Sequence, residues 1–188
     1  MIVVVGFMGA GKTTVGRMLA GRLGLPFIDS DLVIEQRTRR TVPQIFAEDG
    51  EAAFRDLESD VIASLLQGPD AVLALGGGAA DRRVTRDLLK CAQVVYLRVG
   101  FAEAMVRAAG DTCRPLLARP DLDQLHERRQ AVYSEVATLT VATDGQRPEA
   151  VCQEVITRLP APAGVPGTQA PRPVTAAISR EAPPCAWE

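Results

Sequence analysis

The stretch GFMGAGKT, residues 6–13, matches the pattern G-x-x-x-x-G-K-[ST] of a phosphate-binding loop. It follows a β-branched run at residues 2–5 and precedes an amphipathic stretch that predicts a helix from Lys12, with Gly24 as its stop. Between a strand and a helix, the glycines allow successive N–H groups to turn inward, and the helix N-terminus adds a positive dipole end. The stretch therefore predicts a nucleotide site rather than a glycine-rich connection alone.

Within this loop, Lys12 is expected to reach the β and γ phosphates of ATP, and the Thr13 hydroxyl to bind Mg²⁺. A second magnesium anchor usually follows a later apolar strand, but the third predicted strand runs into three glycines. Asp29, at the end of the second predicted strand, is the best replacement. It could instead cap the following helix, a role open also to Ser30 and Asp31. The predicted nucleotide-binding residues of the loop are Gly9, Ala10, Gly11, Lys12, Thr13 and Thr14.

Strand and helix patterns alternate along residues 1–159. The predicted strands are residues 2–5, 27–28, 71–75, 94–99 and 139–141. Because helical stretches separate them, the strands are expected to form a parallel sheet that is covered on both faces. We therefore predict an α/β fold with three layers, α/β/α, around a five-stranded parallel sheet. Ligands of such sheets bind beyond the carboxyl ends of the strands.

Composition excludes several other classes of protein. The 188 residues carry 21 Lys and Arg against 23 Asp and Glu, a net charge of −2, so no basic excess supports a nucleic-acid partner. No apolar run approaches the ~18 residues of a membrane span, and the N-terminus lacks the basic region of a secretory signal. The four cysteines are scattered, so neither a disulfide framework nor a zinc site is expected. A cytoplasmic location fits this pattern best. The single histidine, His126, is expected at the surface.

The composition changes near residue 160. Residues 160–188 contain 7 of the 13 prolines and few large apolar side chains. Such a segment cannot bury enough surface to offset the entropy of ordering it. We therefore expect one folded domain at residues 1–159 and a Pro/Ala-rich disordered tail at residues 160–188.

Several separated blocks, taken in order, resemble the shikimate kinases, a branch of the P-loop kinases that are similar to nucleoside monophosphate kinases. The blocks are GFMGAGKTTVGR (6–17), FIDSD (27–31), FAEDGEAAFR (46–55), LGGGA (75–79), RPLL (114–117) and Arg129 four residues before Tyr133. The resemblance covers residues 1–159. It implies phosphorylation of the 3-hydroxyl of shikimate by ATP with Mg²⁺, in aromatic amino acid biosynthesis, by a monomeric protein. It also implies a helical substrate-binding segment at about residues 30–60 and a mobile lid at about residues 110–121.

The same resemblance implies the substrate contacts. Arg55 and Arg129 match the arginines that clamp the substrate carboxylate, for which a guanidinium fork is well suited. Asp31 matches the carboxylate that orients the attacking hydroxyl and can accept its proton. The other implied contacts are the backbone of Gly76, Gly77 and Gly78 and the aromatic rings of Phe46 and Phe54.

Three further residues match nucleotide-binding positions of that family. Arg114 lies in the block that matches the lid, and would neutralise charge on the transferred phosphoryl group. Arg107 and Pro148 match the residues on either side of the adenine, and a guanidinium plane stacks well on a base. With Lys12 and Asp31, Arg114 completes the expected catalytic residues.

The residues also have purely structural interpretations. Arg55 could form an i,i+3 ion pair with Glu58 on an exposed helix face. Arg129 could lie on a solvated helix face, and Phe46 and Phe54 could be ordinary core residues. Two other functions stay open as well, a different small-molecule P-loop kinase such as a gluconate kinase, and a nucleotide-binding relative without catalytic activity.

Overall fold

The structure is a computed structural model that describes residues 1–109 and 121–160. One parallel sheet has the strand order β2-β3-β1-β4-β5. The strands are β1 (Ile2–Val5), β2 (Phe27–Asp29), β3 (Val72–Ala74), β4 (Gln93–Arg98) and β5 (Leu139–Ala142). The α-helices of the described ranges are α1 (Lys12–Leu23), α2 (Ser30–Thr38), α3 (Val42–Glu48), α4 (Gly50–Leu66), α5 (Arg83–Leu89), α6 (Phe101–Ala108), α7 (Leu122–Val136) and α8 (Pro148–Arg158). None of these helices is long and apolar enough to cross a membrane.

Helices cover both faces of the sheet, which confirms the predicted three-layer α/β fold. Every residue of β1 and β3 is buried, and consecutive strand residues point to opposite faces. Helices α1 and α8 pack together, with α1 also against β2 and β3, while α7 packs against β4. Because β1 lies at the centre of the sheet, the loop that follows it emerges in the middle of the carboxyl edge.

Local sequence signals set several helix ends. Helix α1 ends at Gly24, which has a left-handed φ of 67° and donates its N–H to the Ala20 carbonyl, as a glycine C-cap does. Helix α3 begins with a capping box between Thr41 and Gln44. Pro148 occupies the first turn of α8, where its missing N–H costs nothing.

The segment predicted to bind substrate, at about residues 30–60, consists of α2, α3 and the greater part of α4. A small apolar cluster of Ile34, Ile45, Phe54 and Val61 joins these three helices, separately from the main core around the sheet. The segment is therefore a packed helical layer with α2 in contact with β2, rather than an extended loop.

One expectation about the core is wrong. His126 is buried, with 3% of its surface exposed, and its Nε2 lies 2.9 Å from the Val99 carbonyl oxygen. A carbonyl only accepts, so Nε2 carries the proton of this ring. The ring also meets Phe7 edge to face at 4.9 Å. The buried face of α7 carries His126 and Arg129 beside apolar residues, so the polarity of a side chain does not show which face of this helix it occupies.

Candidate active site

The phosphate loop owes its shape to glycines. Gly9 and Gly11 have left-handed φ values of 75° and 86°, which side chains rarely adopt. A Cβ on Gly9 would also lie 2.6 Å from the Ala104 carbonyl oxygen, so α6 packs directly on the loop. Gly11 is the N-cap of α1 and, having no side chain, leaves the first N–H groups of that helix turned toward the loop.

A cavity of about 360 Å³ opens above this loop. The structure brings together there all of the predicted nucleotide-binding residues that it describes. The lining residues are Gly9, Ala10, Gly11, Lys12, Thr13, Thr14, Val15, Arg107, Thr143, Gln146, Pro148 and Val151. Lys12 directs its ammonium to the loop, where Nζ donates to the carbonyls of Gly6 and Phe7 at 2.9 and 3.1 Å.

Arg107 forms one wall of the cavity and is held there by hydrogen bonds. Its Nη2 donates to the Thr143 carbonyl at 2.7 Å, and its Nη1 donates to the Thr143 hydroxyl at 3.2 Å. A longer bond from Nη1 reaches the Gly9 carbonyl at 3.4 Å, and Glu103 pairs with the guanidinium at 2.9 Å. The guanidinium plane is thus fixed near the loop, where a base could stack on it. Thr143 and Gln146 are cavity residues that the sequence patterns did not predict.

Asp29 caps α2, one of the two roles that its sequence position allowed, and also contacts Thr13, the other expected magnesium ligand. Its Oδ1 accepts the Asp31 N–H at 3.1 Å, which caps α2, and its Oδ2 accepts the Thr13 hydroxyl at 3.2 Å. Hydroxyl and carboxylate oxygens are ligands that suit Mg²⁺, which keeps several waters and takes few protein ligands. The described residues include no cluster of three or more His, Cys, Asp or Glu side chains for a metal ion. A site with Thr13, Asp29 and nucleotide phosphates therefore fits magnesium.

The loop after β3 is the centre of a second group of charged side chains. A Cβ on Gly76 would lie 2.6 Å from both Asp31 Oδ1 and Glu58 Oε1. A Cβ on Gly78 would overlap the Arg55 guanidinium and lie 2.7 Å from Arg129 Nη2. None of the three glycines has a left-handed φ, so they serve close approach by side chains rather than an unusual backbone.

Arg55 is buried, with 8% of its surface exposed, which excludes the exposed ion pair considered from the sequence. The pairing with Glu58 is present, since Nη1 donates to Glu58 Oε2 at 2.7 Å, but Glu58 itself is only 1% exposed. The guanidinium carbon also lies 5.8 and 5.2 Å from the ring centres of Phe46 and Phe54. The two ring centres are 4.7 Å apart. Phe54 belongs to the small apolar cluster and Phe46 packs against it, so both rings pack in this cluster and also border the guanidinium.

Arg129 is 3% exposed, so the solvated helix face considered from the sequence is wrong as well. Its Nε and Nη2 donate to Asp81 Oδ2 at 3.0 and 2.8 Å. One turn further along α7, the Tyr133 hydroxyl donates to the Gly77 carbonyl. Tyr133 therefore joins α7 to the glycine loop, residues 76–78, and Arg129 joins it to Asp81 in the turn that follows this loop.

Two carboxyl oxygens in this group have no hydrogen-bond partner among the described residues, Asp31 Oδ1 and Glu58 Oε1. Burial raises the pKa of Asp31, reinforced by Asp29 and opposed by Lys12 and Arg55. Burial also raises the pKa of Glu58 to about 7, against the attraction of Arg55. Buried acceptors without partners are costly, so this pocket is suited to a ligand that brings hydroxyl donors.

Some of the predicted residues lie outside the ranges that the structure describes. Arg114 and residues 110–120 of the predicted lid fall in the undescribed range, as do residues 161–188 of the predicted tail. Glu58 and Asp81 were missed as members of the site. A sequence signal existed for Glu58, because it lies one helical turn after Phe54 and Arg55. No pattern indicated that Asp81 faces α7.

A phosphate loop after the central strand of a parallel sheet, beside a charged pocket for a second ligand, defines the class of P-loop kinases. The family model for shikimate kinase matches residues 8–160. A shikimate kinase of Thermobifida fusca is 48% identical over 164 residues, covering 86% of this chain and 95% of that protein. One of Mycobacterium tuberculosis is 44% identical, covering 85% and 93%. The solved shikimate kinase of Acinetobacter baumannii in complex with shikimate is 40% identical, with a TM-score of 0.79 over 83% of this chain and 90% of that one. The chain belongs to the shikimate kinase family.

Proposed function

We propose that the residues around the glycine loop and the phosphate loop carry out the family's reaction, transfer of the γ-phosphoryl group of ATP to the 3-hydroxyl of shikimate. Family membership establishes shikimate phosphorylation as the activity, and that prediction from the sequence is confirmed. The observation that best supports the residue roles is the convergence of Asp31, Arg55 and Arg129 on Gly76–Gly78, next to the phosphate loop.

On the nucleotide side, the loop amides and Lys12 hold the phosphates, and the dipole of α1 adds to their positive field. Arg107 and Pro148 line the part of the cavity that is proposed for the adenine. Thr13 and Asp29 would hold Mg²⁺, which in such sites neutralises phosphate charge. We further propose that Arg114, in the lid block, closes over the phosphates.

On the acceptor side, Asp31 accepts a hydrogen bond from the attacking hydroxyl. It takes the proton of this hydroxyl as the new bond from oxygen to the γ-phosphorus forms and the bond from that phosphorus to the departing ADP breaks. Its raised pKa makes it a stronger base than an ordinary aspartate. The charge of Lys12 lowers that pKa in part, against the effect of burial. The acceptor oxygen is thereby held near the phosphoryl group, and most of the rate gain comes from positioning and charge.

The carboxylate of the substrate is assigned to the two buried arginines. The Nη2 atoms of Arg55 and Arg129 both face the position of a Cβ on Gly78, so both guanidinium groups meet at one point. Each guanidinium provides the fork of parallel N–H donors that suits a carboxylate, and burial strengthens the attraction between the charges. Phe46 and Phe54 limit the space behind Arg55.

The alternatives weighed from the sequence are less well supported. A gluconate kinase would not account for the shikimate kinase model matching residues 8–160. A silent relative should have lost a charged residue of the site, whereas Lys12, Asp31, Arg55 and Arg129 are all present. The expected monomeric state, the cytoplasmic location and the lack of a nucleic-acid partner stay predictions.

An ADP-release assay with shikimate, with gluconate and with no acceptor tests the function. We expect release to depend on shikimate, with the no-acceptor rate at background. The product is checked by NMR for phosphorylation at the 3-hydroxyl. Release with gluconate but not shikimate would contradict the proposal, and equal release without an acceptor would indicate an ATPase.

A further inference from the structure

Asp81 lies at the end of a short 3-10 turn, Ala79–Asp81, that directly follows the glycine loop. The turn is tied to that loop, because the N–H of Asp81 donates to the Gly78 carbonyl at 3.0 Å. Arg86 anchors it from α5, since Nη1 donates to the carbonyls of Ala80 and Asp81 at 3.0 and 2.9 Å. The backbone of Asp81 is therefore held in a fixed place relative to the substrate pocket.

The two edges of the Arg129 guanidinium face different partners. The edge formed by Nε and Nη2 donates to a single oxygen, Asp81 Oδ2. The other edge, formed by Nη1 and Nη2, faces the glycine loop, where Nη1 would lie 3.7 Å from a Cβ on Gly77 and Nη2 2.7 Å from one on Gly78. Asp81 thus binds the Nε–Nη2 edge of the guanidinium, while the Nη1–Nη2 edge faces the glycine loop.

This arrangement also meets an energetic need. Arg129 is 3% exposed, and a buried cation without a partner is strongly unfavourable. The Asp81 side chain is 38% exposed, so it neutralises Arg129 while its own carboxylate remains partly in water. An arginine has several staggered rotamers at each of its torsions, and the ion pair selects one of them.

We propose that Asp81 is a positioning residue for recognition of the substrate carboxylate. It holds one edge of Arg129 so that the Nη1–Nη2 edge stays directed at the glycine loop, where the carboxylate binds. The inference rests on the proposed function, since it assumes that Arg129 contacts the substrate carboxylate. In this arrangement Asp81 and the substrate bind different edges of one guanidinium and do not compete.

The test is the steady-state kinetics of Asp81→Ala and Asp81→Asn, with KM for shikimate and for ATP measured separately. We expect Asp81→Ala to raise KM for shikimate about tenfold, the scale of a lost orienting ion pair, and to leave KM for ATP unchanged. Asp81→Asn retains an acceptor oxygen and should recover most of the loss. Asp87→Ala is the matched control, because Asp87 pairs with Lys90 on the exposed side of α5.

A double-mutant cycle shows whether Asp81 acts through Arg129. In an Arg129→Ala background, Asp81→Ala should change KM for shikimate by less than twofold, since no guanidinium is left to orient. A lower KM for shikimate in Asp81→Ala would overturn the proposal in favour of a competing carboxylate. An unchanged KM, or an equal rise in both KM values, would overturn it as well. If the wild type shows no turnover of shikimate, the proposed function is wrong, and the role of Asp81, which rests on it, is wrong as well.

Discussion

The site has a nucleotide half, around the phosphate loop, and an acceptor half, around the glycine loop. Backbone groups form most of the first, and side chains form most of the second. The nucleotide half consists largely of backbone, with glycines at left-handed φ values and the N-terminus of α1. The acceptor half consists of buried charged side chains from α2, α4 and α7 around an ordinary backbone. A backbone site depends on residues that are adjacent in sequence, whereas a side-chain site depends on packing between distant elements. The two halves should therefore respond differently to substitution.

The largest effect is expected for Asp31→Asn in the acceptor half. The amide keeps the size of the carboxylate but cannot take the proton of the attacking hydroxyl, so kcat should fall about a thousandfold. The nucleotide half is untouched, so affinity for ATP, measured by titration calorimetry, should change less than twofold. A kcat near that of the wild type would refute the assigned role of Asp31. Weaker ATP binding would mean that a substitution in the acceptor half also affects the nucleotide half.

The second prediction concerns the buried carboxyl of Glu58. Its pKa of about 7 in the folded chain lies above the ordinary value of 4.5, so the folded state binds the proton more tightly than the unfolded state. The stability gained from this is complete below about pH 4.5 and is lost as the pH rises through 7. The loss is on the order of 3 kcal/mol.

Glu58→Gln removes the titration and keeps an acceptor for Arg55. We expect the free energy of unfolding, measured in urea between pH 5 and 8, to depend less on pH in this variant than in the wild type. Glu51→Gln is the matched control, since Glu51 also pairs with Arg55, at 3.4 Å, but is half exposed. An equal loss of pH dependence in Glu51→Gln would show that the pairing with Arg55, and not the buried carboxyl of Glu58, causes the pH dependence of the free energy of unfolding.

The third prediction compares neighbouring glycines of the acceptor half. A methyl group in Gly78→Ala would displace the ends of Arg55 and Arg129, while in Gly77→Ala the nearest atom is 3.7 Å away. Because the displaced atoms lie at the ends of side chains rather than in the backbone, the fold should persist and KM for shikimate should rise about tenfold in Gly78→Ala only. Circular dichroism checks the fold. Equal KM values for both variants would contradict the proposed meeting point of the arginines.

The same contrast explains which parts could be predicted from the sequence. The strands, α1 and the phosphate loop follow from local patterns, and each is found within one or two residues of its expected place. The acceptor residues Asp31, Arg55 and Arg129 were indicated only through family resemblance, because nothing local shows that they meet. His126 and Asp81 escaped prediction since their burial and pairing depend on how α7 packs against the sheet and the glycine loop.

The smallest expected effect concerns the two ends of α1. Gly11 and Gly24 cap this helix with left-handed φ values of 86° and 67°, and neither position is crowded. Replacement by Ala should cost about 1 kcal/mol of stability at either end, from backbone strain alone. Only Gly11→Ala should also raise KM for ATP, because only Gly11 belongs to the phosphate loop. Thermal unfolding measures the loss of stability in both variants, and steady-state kinetics measure KM for ATP. A raised KM for ATP in Gly24→Ala would show that backbone strain at the far end of α1 also weakens ATP binding.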